Sequence, residues 1–87
     1  MRTVHLDCAR MTDREAAHNE LARALDFPAW YGRNLDALYD LLTESGPTHL
    51  ILDHSQALAA LGSYGLSLLN TLRDTAEKNP NLELTIA

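Results

Sequence analysis

The chain has 87 residues, 46% hydrophobic and 22% charged, and its twelve acids against seven bases give a formal charge of −5 with histidine neutral. That length suits a single domain over residues 1–87, and the apolar share excludes a disordered chain. The acidic balance disfavours direct contact with a nucleic-acid backbone, which needs a basic face, and favours a cationic partner. No apolar run approaches the length of a membrane span or a secretory signal core, so no membrane partner and no leader are expected. Cys8 is the only cysteine. Internal disulfides and a cysteine zinc cluster are therefore excluded, and a cytoplasmic location is expected.

Thr3 to Leu6 predicts a first strand, with β-branched character and Asp7 as its boundary. Thr12-Asp13-Arg14-Glu15 has capping-box spacing, with Thr12 as the cap and Glu15 reaching back. The helix that follows places Ala17, Leu21, Ala24 and Leu25 toward a core, and Pro28 ends it. Asp26 to Arg33 reads as a loop. Asn34 is a plausible N-cap for a second helix from Leu35 to Glu44, and Gly46-Pro47 stops it. His49 to Asp53 predicts a second strand. Its unalternating Leu50-Ile51-Leu52 suggests burial on both faces, as in a parallel sheet. A short helix from Ser55 to Leu61, a break at Gly62, and a longer helix to Lys78 come next. Asn79-Pro80-Asn81 makes a turn, and Leu82 to Ile86 alternates as a third strand. Strands separated by helices predict an α/β fold with parallel pairing through right-handed crossovers, one sheet face well covered, and the second helix toward an edge.

The second helix carries the strongest functional signal. Leu35, Leu38, Leu41 and Leu42 share one face, while Asp36, Asp40 and Glu44 share the opposite face at i, i+4 spacing. Each like-charge pair at that spacing costs an isolated helix about 0.2–0.5 kcal/mol. Arg33 is the one base three or four positions from any of the three acids. A solvated acidic face is the plain reading, and the helix dipole welcomes Asp36 in the first turn. The sharper reading is a recognition surface for a cationic site, with Tyr39 and Thr43 bordering the acids. The preceding loop supports the sharper reading. Trp30-Tyr31-Gly32 places the only tryptophan and a tyrosine beside the acidic face. Loop aromatics bury much area at low entropy cost and suit interface anchors, unless they dock on the core beneath. Acids and flat rings together suggest mimicry of a nucleic acid.

The stretch Trp30-Tyr31-Gly32-Arg33-Asn34-Leu35-Asp36-Ala37-Leu38-Tyr39-Asp40-Leu41-Leu42-Thr43 resembles the signature segment of the barstar family, intracellular inhibitors of the ribonuclease barnase. The likeness runs over nearly the whole chain, to a closing helix-turn-strand that ends in Leu84-Thr85-Ile86. It implies a three-stranded parallel sheet of order 1-2-3 packed with helices. It also implies an inhibitor, not an enzyme, whose second helix and preceding loop plug a ribonuclease active site. By that resemblance Asp40 matches the aspartate that enters the enzyme's phosphate-binding site, and Asp36 matches the aspartate one turn earlier. Trp30 stands where the family has a tyrosine that stacks on a catalytic histidine. Thr43 and the backbone from Gly32 to Asn34 match further contacts, and Asp74 matches a glutamate that reaches an enzyme arginine. Tyr39 stands in place of a tryptophan, and Arg33 in place of an acid. No tryptophan stands near Glu44-Ser45, where the family has one after this helix.

The expected partner is thus a barnase-like or related microbial ribonuclease, secreted or delivered as a toxin, with no cofactor and a monomeric free chain. Self-protection of the producing cell is the expected role. A barstar-like adaptor for a non-nuclease cationic protein is the alternative. A carboxylate hydrolase built on Asp36 and Asp40 is disfavoured, because a convex helix offers little cleft. His5, Cys8 and His49 lack the paired second set of a metal site, and Cys8 reads as a buried thiol. His18 and His54 read as surface residues. Glu15, Glu20 and Asp26 read as solvated. The leucines at 61, 66, 68, 69 and 72 read as core or, at most, a partner face. Gly62 and Gly65 read as a helix junction rather than a phosphate loop.

Overall fold

The computed structural model describes residues Met1 to Ala87. Three strands, β1 (Arg2–Asp7), β2 (Thr48–Asp53) and β3 (Leu82–Ile86), form a parallel sheet of order β1-β2-β3. Three α-helices, α1 (Arg14–Leu25), α2 (Leu35–Thr43) and α3 (Ser63–Lys78), lie in the crossovers, with 3-10 turns at Cys8–Arg10 and Ser55–Leu61. The α/β fold and the strand order match the sequence-based expectation. No helix is long and apolar enough to cross a membrane.

The register places Val4 opposite Leu50 and Leu50 opposite Leu84; Leu6, Leu52 and Ile86 form the next row. Side chains alternate across a strand, so these rows build one face. Val4, Leu6, Leu50, Leu52 and Leu82 join Leu21, Leu38, Leu42, Leu68 and Leu72 in one hydrophobic core. The opposite face stays open. There Thr3, His5 and Thr85 are exposed, and Ile51 is half-buried. Expected burial of β2 on both faces is therefore corrected: Leu50 and Leu52 are buried, and Ile51 is covered only in part. Cross-strand polar pairs occupy the open face, His5 Nδ1 with Asp53 Oδ2 at 2.8 Å and His49 Nε2 with Thr85 Oγ1 at 2.7 Å.

Local chemistry accounts for the element ends. Asp13, not Thr12, caps α1, its carboxylate accepting from the Ala16 N–H at 2.7 Å. Capping-box spacing alone starts the helix one residue early. Asp26, before Pro28 is reached, closes α1 in the left-handed conformation at φ 56°. Asn34 caps α2 as expected, accepting from the Ala37 N–H at 2.8 Å. The helix expected at Ser55–Leu61 is a 3-10 segment that meets α3 at Gly65. A Cβ at position 65 would overlap the Leu58 carbonyl oxygen, so only glycine allows this approach.

α1 packs chiefly on β1, and α3 packs on α2, on the 3-10 segment Ser55–Leu61 and on β3. Leu38 and Leu42 are fully buried and Leu35 and Leu41 partly so. A second device fixes the end of α2. Asn79, buried at the C-cap of α3, donates from Nδ2 to the carbonyls of Leu42 at 2.9 Å and Ser45 at 3.0 Å. Its Oδ1 accepts from the Asn81 N–H at 2.9 Å. Leu66, expected in the core or at most on a partner face, is 67% exposed on α3, so the core reading is corrected. Position 66 follows the buried Gly65 but turns the side chain away from the Leu68–Leu72 stripe.

Candidate functional site

The leucine face of α2 fixes which residues point outward. With Leu38 and Leu42 buried, Asp36, Asp40 and Glu44 are all exposed. None of the three has a basic group within ion-pair distance. The helix thus presents three uncompensated carboxylates along one ridge. Tyr39 and Thr43 flank it, half-buried. The Thr43 hydroxyl turns back onto the helix, donating to the carbonyls of Tyr39 at 2.9 Å and Asp40 at 3.1 Å.

The loop before α2 is pinned at several points. Asn34, besides capping the helix, donates from Nδ2 to the Gly32 carbonyl at 3.2 Å. Arg33 adopts φ 53°, a left-handed turn that swings the chain into the helix. Its guanidinium donates to Asn19 Oδ1 on α1. Trp30 stands 75% exposed at the loop's start. The Tyr31 side chain does the opposite and enters the core, its ring 4.7 Å from that of Phe27. Of the two expected loop anchors, Trp30 offers its ring to solvent and Tyr31 does not.

Tyr31 leads to a buried polar chain that the sequence did not reveal. Its hydroxyl meets His18 Nδ1 at 2.7 Å, and His18 Nε2 meets the Tyr64 hydroxyl at 2.6 Å. A neutral imidazole has one N–H and one lone pair, and two phenols satisfy both. Burial, and then the Arg33 charge, lower the His18 pKa from its ordinary 6.5. Burial raises that of Tyr31. His18, expected at the surface, is 1% exposed. Its partners lie 13 and 46 residues along the chain, too far for a local pattern to register.

Glu20 is the second correction to the expected surface of α1. It is buried, accepts from the Asp7 N–H at 2.9 Å, and is gripped by Arg23 at 2.9 and 2.7 Å. Burial alone would raise its pKa, but these bonds outweigh it and hold the carboxyl below the usual value. Cys8 is buried as expected. Burial, then the charges of Asp7, Asp53 and Glu20, push its thiol up to about 11, so it stays protonated at neutral pH.

Two recesses border these elements. One, of about 530 Å³, lies where Arg14 and Glu15 of α1, Tyr64 of α3, and the Arg33–Asp36 stretch converge. A larger groove of about 830 Å³ lies between α3 and β3 and includes Asp74 with Arg73, Glu77, Leu84 and Ile86. Asp74 is thus exposed but lines a groove that contains none of the loop or α2 residues. The structure therefore brings Trp30, Gly32, Asn34, Asp36, Tyr39, Asp40 and Thr43 together on one loop and helix, and sets Asp74 apart. No group of three or more His, Cys, Asp or Glu side chains is arranged to hold a metal ion.

Comparison with known proteins places the chain as a whole among relatives. Residues 1–86 match the family model described as Barstar (barnase inhibitor). A protein of Bacillus subtilis (strain 168) named "Putative ribonuclease inhibitor YrdF" is 37% identical over 81 residues, covering 90% of this chain and 89% of that protein.

Proposed function

The chain belongs to the barstar family of ribonuclease inhibitors, and from that membership we propose that it inhibits by seating the α2 ridge and its preceding loop in the active site of a small basic ribonuclease. The observation that carries this reading is the row of exposed, unpaired Asp36, Asp40 and Glu44 beside an exposed Trp30. A site that binds RNA must hold cations where phosphates sit, and three carboxylates spaced along a helix can meet them. Asp40, at the middle of the row, takes the phosphate position, and Asp36 meets the neighbouring base. Trp30 lies flat on a ring or an apolar wall of the enzyme. Gly32 and Asn34 supply backbone contacts, and Tyr39 and Thr43 close the rim.

No bond is made or broken in this mechanism; the inhibitor excludes RNA by occupying its place. Carboxylates without internal partners lose no ion pair on docking, so only their desolvation opposes their attraction for the enzyme. Charge complementarity of this kind raises the association rate and weakens with salt. The preformed loop adds to affinity, because ordering is complete before the enzyme arrives. Barnase-like enzymes fit this description best, and protection of the producing cell's own RNA is the corresponding role.

The test is inhibition of a panel of small microbial ribonucleases, barnase included, at low and high salt. Stoichiometric inhibition that both salt and Asp40→Ala weaken supports the reading. Inhibition that is indifferent to both salt and Asp40→Ala would sink it.

A further inference from the structure

The recess beside the ridge sets cations next to the ridge's acids. Two of its lining groups are guanidiniums, Arg14 at the start of α1 and Arg33 just before α2. Arg10 and Arg23, by contrast, are held by internal acids, Arg10 by Asp7 at 3.6 Å and Arg23 by Glu20 at 2.7 Å. Arg14 and Arg33 have no carboxylate within ion-pair distance. Both are nevertheless oriented. The Arg14 guanidinium lies 4.4 Å above the Tyr64 ring, and Tyr64 is held by its bond to buried His18. Arg33 is held by the neutral amide of Asn19. A single bond to Asn19 leaves the other guanidinium N–H groups of Arg33 free to donate. The first turns of α1 and α2 also open on this recess, and their dipoles add positive potential to it.

We propose that the recess receives one carboxylate side chain of the target ribonuclease, gripped between Arg14 and Arg33, and that this contact selects which ribonuclease is bound. The inference rests on the reading of α2 and its loop as the inhibitory surface, since the recess shares Asn34 and Asp36 with it. A single carboxylate fits better than an RNA strand. Glu15 and Asp36 also line the recess. A polyanion lying across them would continue into the Asp40 and Glu44 charges, whereas one carboxylate uses the two guanidiniums alone. Arginine suits this task, because its planar fork matches a carboxylate with two parallel hydrogen bonds. The target is then an enzyme with a basic active site and an acid on its rim. A basic enzyme lacking that acid is penalised by two desolvated arginines.

The probe is the panel ribonuclease that the wild-type chain inhibits at one-to-one stoichiometry. Arg33→Glu and Arg14→Glu should each weaken its inhibition by about tenfold or more, with Arg33→Gln in between. Lysine replacement of one rim acid on the enzyme should restore binding to Arg33→Glu. Both arginine side chains are exposed, and unchanged thermal unfolding checks that the variants fold. Full inhibition by Arg33→Glu and Arg14→Glu, while Asp40→Ala weakens it, overturns the proposal and leaves the inhibitory surface standing. If no panel enzyme is inhibited, or if Asp40→Ala is also without effect, both fall together. Binding of a short RNA oligonucleotide to wild type that is lost in Arg33→Glu would overturn it in favour of a phosphate site.

Discussion

Trp30 and Tyr31 stand side by side at the entrance to α2, one 75% exposed and the other 5%. The contrast extends to the regions they belong to. Outward, the helix that follows Trp30 carries three carboxylates that pair with nothing in the chain. Inward, Tyr31 joins His18 and Tyr64 in a chain whose polar atoms are all satisfied, and no buried side-chain nitrogen or oxygen lacks a partner. The outer region stores unspent interactions at some cost to the fold. The inner region spends its interactions on holding the outer one in place. A rigid, charged surface needs both, because carboxylates that repel one another hold a common orientation only on a fixed support.

The sharpest test of this division is Asp40→Ala. It should produce the largest loss of inhibition, about 2 kcal/mol or more, roughly thirtyfold in the inhibition constant, with Asp36→Ala and Trp30→Ala behind it. On the supporting side, Gly65→Ala should cost about 1–3 kcal/mol, since the new methyl overlaps the Leu58 carbonyl. Urea unfolding would measure this. His18→Phe should cost a similar amount, about 1–3 kcal/mol, by leaving the Tyr31 and Tyr64 hydroxyls without their partner.

Acid should discriminate the two regions as well. The folded His18 has a lowered pKa, so between that value and about 6.5 the unfolded chain binds more protons. Its contribution to stability is therefore complete above pH 6.5 and is lost as pH falls through the folded value. Glu20, also lowered, contributes in the same direction further down, below its ordinary 4.5. Unfolding free energies between pH 7.5 and 5 should decline in wild type and flatten in His18→Phe. An identical decline in the variant would remove His18 from the account. The smallest effect is the most diagnostic. Asp40→Asn relieves two like-charge pairs on α2 and should raise stability by about 0.4–1 kcal/mol while weakening inhibition. Stability and inhibition moving together would contradict the division.

The outer region was legible in the sequence, and the inner one was not. α2 could be read because its leucine and acid faces repeat at helical spacing and Asn34 is a recognisable cap. The strands could be read from short branched runs between turn residues. The open sheet face was hidden, because Leu50-Ile51-Leu52 carries no alternation even though its burial alternates. His18 and Glu20 look like solvated helix residues until Tyr64, Tyr31 and the Asp7 N–H arrive from distant parts of the chain. Arg14 and Arg33 lie 19 positions apart, and only the packing of α1 beside the loop brings them to one recess. Thr12 lost the cap to Asp13 because two good caps stand in succession and spacing alone does not choose between them.

The asparagine that ties α3 to the end of α2 is followed by Pro80. Asparagine deamidates when the backbone nitrogen of the next residue attacks its side-chain carbonyl carbon and closes a five-membered imide. Proline has no N–H to lose in that step, so Asn79 lacks the usual route to aspartate. An aspartate there would set a buried negative charge against the Leu42 and Ser45 carbonyl oxygens that the amide now holds. The joint beneath the recognition helix is therefore protected against deamidation by that route. Long incubation at mildly alkaline pH should leave residue 79 at its original mass.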